Sequence, residues 1–149
     1  MITFNFHRGN KPISRMIRLF SGGQYNHVSI KIGRTIYEAH IKNGVTKTSQ
    51  GLWNDETVAV SAPFEFPYEK EAKKFLEKQV GKKYDILGIF AFLWVFAKPK
   101  KGKWYCSELA QVALYKALGI KSTDSNYQQK VSPQDFYYNL LDLTQILSK

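Results

Sequence analysis

The clearest pattern in the chain is a strict alternation at Val28, Ile30 and Ile32 against His27, Ser29 and Lys31. A period of two predicts a strand with one face in the core. Gly33-Arg34 reads as a turn, residues 35–41 as the returning strand, and Asn43-Gly44 as a two-residue hairpin signal leading into residues 45–49. Residues 2–6 alternate more weakly and residues 56–62 read as a further strand. Elsewhere the period lengthens. Residues 12–20 place Ile13, Met16, Ile17 and Phe20 at helical spacing behind an early proline, and Ser21-Gly22-Gly23 ends the run. Residues 68–80 form a charged helix with Ala72, Phe75, Leu76 and Val80 on its inner stripe, closed by Gly81. Residues 85–97 predict an apolar helix and residues 105–118 an amphipathic one ending at Gly119. Ser132-Pro133 opens a short helical segment, while residues 140–147 fit either strand or helix. Hairpin-linked strands bracketed by helices predict an α+β fold with an antiparallel sheet packed against helices. No repeat or long linker divides residues 1–149, so one domain is expected.

Cysteine usage narrows the chemistry. Among 149 residues there is one cysteine, Cys106, so no internal disulfide can form and the thiol is either core filler or a nucleophile. It opens the helix of residues 105–118, where backbone N–H groups and the helix dipole favour a thiolate and, later, an oxyanion. One cysteine and three histidines provide no metal staple, and no cofactor is expected. A free thiol suits a reducing compartment. The opening residues show no basic-then-apolar run, so no secretory signal is expected, and the predicted location is cytoplasmic or membrane-associated.

A cysteine nucleophile needs a base, and only His7, His27 and His40 can supply an imidazole. A two-residue turn at Gly33-Arg34 pairs Ile32 with Thr35, Ser29 with Glu38, and His27 with His40. Glu38 then lies diagonal to His27 on one face, roughly 7–8 Å away by backbone and within side-chain reach. A loop one residue longer or shorter destroys that alignment. The strand pair can therefore present an imidazole and a carboxylate together, the minimum partners of a thiol in acyl transfer. Spacing alone leaves His40 as a rival base or as a neighbour that tunes His27. It also leaves the bland alternatives: an inert buried thiol, a satisfied polar histidine, a solvated glutamate.

These residues resemble the circularly permuted branch of the NlpC-like, papain-fold cysteine amidohydrolases, which includes YiiX-like proteins and is related to the lecithin:retinol acyltransferase group. The matching segments, in order, are Ile13-Ser14-Arg15-Met16-Ile17-Arg18 with Tyr25-Asn26-His27-Val28; Ile36-Tyr37-Glu38-Ala39 with Gly44-Val45; Gly81-Lys82-Lys83-Tyr84-Asp85; Tyr105-Cys106-Ser107-Glu108-Leu109; and Val131-Ser132-Pro133-Gln134-Asp135-Phe136. His precedes Cys, the reverse of unpermuted papain-like enzymes. The resemblance implies a permuted papain-like fold with Cys106 as nucleophile, His27 as base, Glu38 as the orienting acid, and Tyr105 near the oxyanion beside the Cys106 N–H. Tyr105 reads equally well as an aromatic packed at a helix start. The implied activity is a cysteine hydrolase, peptidase or acyltransferase acting on an amide or ester, either a cell-wall peptide or an acyl lipid. The chain departs from the family pattern before its first helix, where Phe6-His7-Arg8-Gly9 replaces a Gly-Asp segment.

Charge bears on partners. Lys and Arg number 22 against 12 Asp and Glu, for a net +10, which biases encounters toward polyanions. The apolar run at residues 86–97 is too short to span a bilayer, which takes about 20 residues. With Lys98, Lys100, Lys101 and Lys103 behind it, the run fits either a buried helix or an element docking on an anionic membrane. No strand carries the aromatic-basic alternation of common RNA-binding modules, so nucleic acid is not the expected partner. A second class of function stands beside the enzyme: a non-catalytic binding module of the same fold, attached to an anionic membrane or wall polymer.

Overall fold

The computed structural model describes residues 1–50, 56–61, 65–86, 102–120 and 131–147. Among the described residues the strands are β1 (Ile2–Arg8), β2 (His27–Ile32), β3 (Thr35–His40), β4 (Gly44–Thr48), β5 (Glu56–Ser61), β6 (Lys83–Tyr84) and β7 (Lys103–Trp104). The described helices are α1 (Pro12–Ser21), α2 (Glu69–Gln79), α3 (Cys106–Ala117) and α4 (Pro133–Leu147). The fold is α+β. The main sheet has the order β4-β3-β2-β1-β5 with every neighbouring pair antiparallel.

Register follows the alternation. Ile2, Phe4 and Phe6 pair with Ile32, Ile30 and Val28, so six apolar side chains share one face, all 5% exposed or less. Tyr37 sits opposite Ile30 and extends that face onto β3. The Gly33-Arg34 turn has two residues, as expected, and the ladder runs from Ile32↔Thr35 to Ile30↔Tyr37. Helix α4 covers this face through aromatic contacts. Phe136 meets Phe4 edge-on at 5.2 Å between ring centroids, and Tyr137 meets Phe6 at 5.1 Å. Offset and edge geometries of this kind add to simple area burial.

Four sequence expectations change. The turn between β3 and β4 is Ile41-Lys42-Asn43, three residues rather than the two-residue Asn43-Gly44 signal, because His40 pairs with Gly44. Residues 140–147 do not form a separate element; they complete α4, one 15-residue helix. Its start is fixed by Ser132, whose hydroxyl accepts from the Asp135 N–H at 3.0 Å while the Asp135 carboxylate accepts from the Ser132 hydroxyl at 2.7 Å. Phe20, placed on the inner stripe of α1 by spacing, is 41% exposed, because Ser14 and Ile17 define the buried side. Helix α3 is not amphipathic in place. Ser107, Glu108 and Gln111 are buried with its apolar residues, since α3 contacts β2, β3, α2 and α4 at once.

Gly44 ties the sheet to the segment that leads toward Cys106. Its φ of 69° lies in the left-handed region, and a Cβ there would stand 2.2 Å from the Lys82 carbonyl oxygen. That close approach lets the Val45 N–H donate to Lys82 O and the Gly81 N–H donate to Val45 O, both at 2.8 Å. The next two residues form β6, which pairs in parallel with β7, and the Asp85 N–H donates to Trp104 O at 3.1 Å. Strand β7 ends one residue before the N-cap of α3, so the hairpin and the helix start are held in one frame.

Candidate active site

Local structure explains where Cys106 sits. Tyr105 is the N-cap of α3 with extended backbone (φ −89°, ψ 151°), which makes Cys106 the first helical residue. Glu108, three residues beyond the cap, turns its carboxylate back to accept from the Tyr105 N–H at 3.3 Å. Ser107 donates to the Val131 carbonyl, fixing the same turn to the segment ahead of α4. Cys106 is 1% exposed.

His27 begins β2 and is 3% exposed. Its Nε2–H donates to Glu38 Oε2 at 3.2 Å, and the Cys106 sulfur acts on the same ring. Burial alone disfavours the imidazolium. Hydrogen bonds from the ring to Cys106 and Glu38, together with their negative charge, reverse that effect and raise the His27 pKa from 6.5 to about 9. Glu38 is 1% exposed, so carboxylate and imidazole form an ion pair shielded from solvent. Cys106, His27 and Glu38, singled out from the sequence, are thus brought together.

His40 is placed differently. Its Nδ1 accepts from the Lys42 N–H at 3.3 Å, and burial followed by the positive charge of His27 lowers its pKa. Of the two candidate bases, His27 is the one whose protonation the Cys106 sulfur favours. Tyr105 is 2% exposed, and burial, then the charge of Cys106 and Glu108, raises its pKa well above the usual range. Its phenol therefore stays protonated next to the thiol. Tyr84 behaves alike: burial leads and Cys106 is the next contributor, and its ring packs on Tyr105 at 5.9 Å.

His7, one of the three imidazoles in the sequence, was assigned no role there. It is the register partner of His27, its ring lies 5.3 Å from the His27 ring, and its Nε2 hydrogen-bonds Ser29 Oγ at 3.1 Å. Burial first, and the His27 cation second, lower its pKa to about 3 despite an opposing pull from Glu38. His7 is therefore a neutral imidazole beside a cationic one. The available signal was its position at the end of an alternating strand antiparallel to the His27 strand. Asn26 was quoted only as part of a motif, yet its Oδ1 accepts from the Gly9 N–H at 2.6 Å, joining the start of α1 to the residue before His27.

The apolar stretch at residues 87–97 and Lys98, Lys100 and Lys101 lie outside the described residues. Lys103 is half-buried in β7 opposite Lys83. Among the described residues, no group of three or more His, Cys, Asp or Glu side chains is arranged to hold a metal ion, and no helix is long and apolar enough to cross a membrane.

Chemically, the arrangement supplies a sulfur nucleophile, a proton carrier coupled to it, a carboxylate that fixes the carrier, and a helix N-terminus. No protein-family model matches the chain, and no curated protein matches it in sequence.

Proposed function

We propose that the chain is a cysteine-nucleophile hydrolase or acyltransferase that cleaves an amide or ester through an acyl-thioester on Cys106, on a permuted papain-like scaffold. The observation that carries this reading is the buried His27 ring, paired with Glu38 at 3.2 Å, on whose protonation the Cys106 sulfur acts directly. A satisfied structural histidine needs neither partner in that order; acyl transfer needs both. The order His before Cys along the chain accords with the permuted arrangement.

The steps follow from the groups present. Before substrate arrives the proton already resides on His27, so the attacking group is a thiolate beside an imidazolium that Glu38 holds in orientation. Sulfur attacks the acyl carbon, and the carbonyl oxygen takes up the electron pair at the N-terminus of α3, where the Cys106 N–H points outward from the helix. Tyr105, as a protonated phenol beside the sulfur, is the side chain proposed to donate to that oxyanion. His27 then protonates the leaving amine or alcohol as the carbon–heteroatom bond breaks. Water or an acceptor hydroxyl or amine, deprotonated by His27, attacks the thioester and releases the thiolate. A cell-wall peptide and an acyl lipid both provide the required bond.

One observation favours a second reading. Cys106, His27 and Glu38 are all 3% exposed or less, which suits a binding module that keeps the fold without turnover. The two readings part under one experiment. The chain is incubated with wall peptides, phospholipids and simple esters, and intact mass is read for an acyl adduct, with Cys106→Ala as control. An adduct or turnover that vanishes in Cys106→Ala supports the enzyme. Absence of any adduct, with a thiol that also resists iodoacetamide below pH 8, supports the binding module.

A further inference from the structure

We infer that the outward face of α1 docks on an anionic lipid bilayer. Helix α1 turns Ser14 and Ile17 inward, at 0% and 6% exposure, and leaves Leu19 and Phe20 at 77% and 41%. Lys11, Arg15 and Leu19 follow at four-residue steps, so they fall on one row along the helix surface. Pro12, Met16 and Phe20 form the adjoining row. The outward side thus carries two cations toward its N-terminal end and two large apolar side chains toward its C-terminal end.

No acidic residue lies between Lys11 and Gly22. Arg18, half-buried, donates to the Gly9 carbonyl, and Lys11 and Arg15 are the exposed cations of the row. Lys42 is exposed at the β3–β4 turn, and its charge and that of Lys11 both act on His40.

The chemistry selects the occupant. A ten-residue helix is about 15 Å long, and a stable protein interface takes about 800 Å² from each partner, far more than two side chains expose. A short helix with apolar side chains beside cations has what interfacial binding needs: shallow insertion of Leu19 and Phe20, and attraction of Lys11 and Arg15 to anionic headgroups. The root of α1 is tied through Gly9 and Asn26 to His27, so docking sets the candidate site beside the headgroup layer. That consequence for substrate rests on the acyl-transfer reading; the docking itself does not.

The test uses the full chain carrying Cys106→Ala, so that binding is read without turnover. Vesicles of phosphatidylcholine with phosphatidylglycerol, and of phosphatidylcholine alone, are sedimented with the protein. Binding is expected on the mixed vesicles, weakly on the neutral ones, and should fall as salt rises. Leu19→Ser with Phe20→Ser should weaken partitioning roughly tenfold or more, and Lys11→Gln with Arg15→Gln by a similar factor at low salt. Lys73→Gln with Lys74→Gln, on exposed positions of α2, should leave it within about twofold if attraction acts only near the surface. All positions are exposed, and unchanged thermal unfolding verifies that each variant folds. The inference is overturned if the chain ignores the mixed vesicles, or if the α1 and α2 variants lose binding equally. It is also overturned if Leu19→Ser with Phe20→Ser leaves vesicle binding intact and instead converts a dimer to a monomer in sedimentation velocity, which assigns the face to a second copy.

Discussion

Replacing Glu38 by glutamine should collapse the protonation of His27, and the size of the effect can be worked from the geometry. At 3.2 Å a unit charge pair attracts by ~5 kcal/mol with an effective dielectric of about 20. Burial works against the imidazolium, and Cys106 works with Glu38. The outcome, a pKa raised from 6.5 to about 9, corresponds to roughly 3 kcal/mol favouring the protonated ring. Because the Glu38 attraction is larger than that net preference, its removal leaves burial in control. His27 in Glu38→Gln should then titrate near or below 6.5, even with the amide still able to accept a hydrogen bond. The sign of the linkage is fixed: His27 binds its proton more tightly folded than unfolded. Its stabilisation is therefore complete below pH 6.5 and is lost as pH rises through about 9. Ring-nitrogen NMR on histidine-labelled protein reads the titration directly, with His7 and His40 assigned by substitution. Urea unfolding below and above that window then gives a wild-type loss of roughly 3 kcal/mol from this group, which Glu38→Gln should lack. A wild-type His27 that titrates at or below 6.5, or one unmoved by Glu38→Gln, would refute the reasoning.

Three further outcomes are expected. Gly44→Ala should destabilise by about 3 kcal/mol or more in urea, since it adds a left-handed strain of ~1–2 kcal/mol to a clash with Lys82 O; Gly33→Ala, with φ 61° and open space around it, should cost only the strain, and equal losses at the two sites would contradict the packing argument. His7 holds its proton less tightly folded than unfolded, so below pH 6.5 it should subtract about 1.4 kcal/mol for each pH unit down toward 3, and His7→Phe should flatten that acid slope in unfolding measurements. Ser132→Ala should cost ~1 kcal/mol through loss of the cap on α4, visible as a lower urea midpoint; no change would show that the Asp135 N–H finds another acceptor.

The parts of the fold legible in the sequence are those where one physical rule acts alone. The β2–β3 pair was readable because its period is two and its turn has two residues, so a single register was available. Helix α2 was readable because charge covers three sides of it and Ala72 and Leu76 mark the fourth. Where a second layer covers the polar side, the rule loses its meaning. Helix α3 looks amphipathic by composition, yet Ser107, Glu108 and Gln111 are buried because its polar side meets protein too. The two-residue strands β6 and β7 carry no periodicity at all; their parallel pairing joins residues 83 and 103, and only tertiary structure sets such a contact.

The same limit explains the site. Cys106 and its helix start, His27 and its strand, and Glu38 across one turn were each local features, so their meeting followed from register and one long-range docking. His7 entered by another route. It comes to His27 through the β1–β2 pairing, across α1 and the loop after it, and no short-range pattern announces that pairing. Its effect is nonetheless specific. Two buried imidazoles with ring centroids 5.3 Å apart cannot both be charged at low cost, and the pair resolves this by splitting their proton affinities to about 3 and about 9. Glu38 and Cys106 decide which ring takes the proton, because both act on His27, whereas His7 has Ser29. The neighbour that does not ionise therefore lines the site with a polar, uncharged wall, and the one imidazolium faces the sulfur. A carboxylate placed across a turn from His27 and a sulfur brought to it by the start of α3 make that choice together.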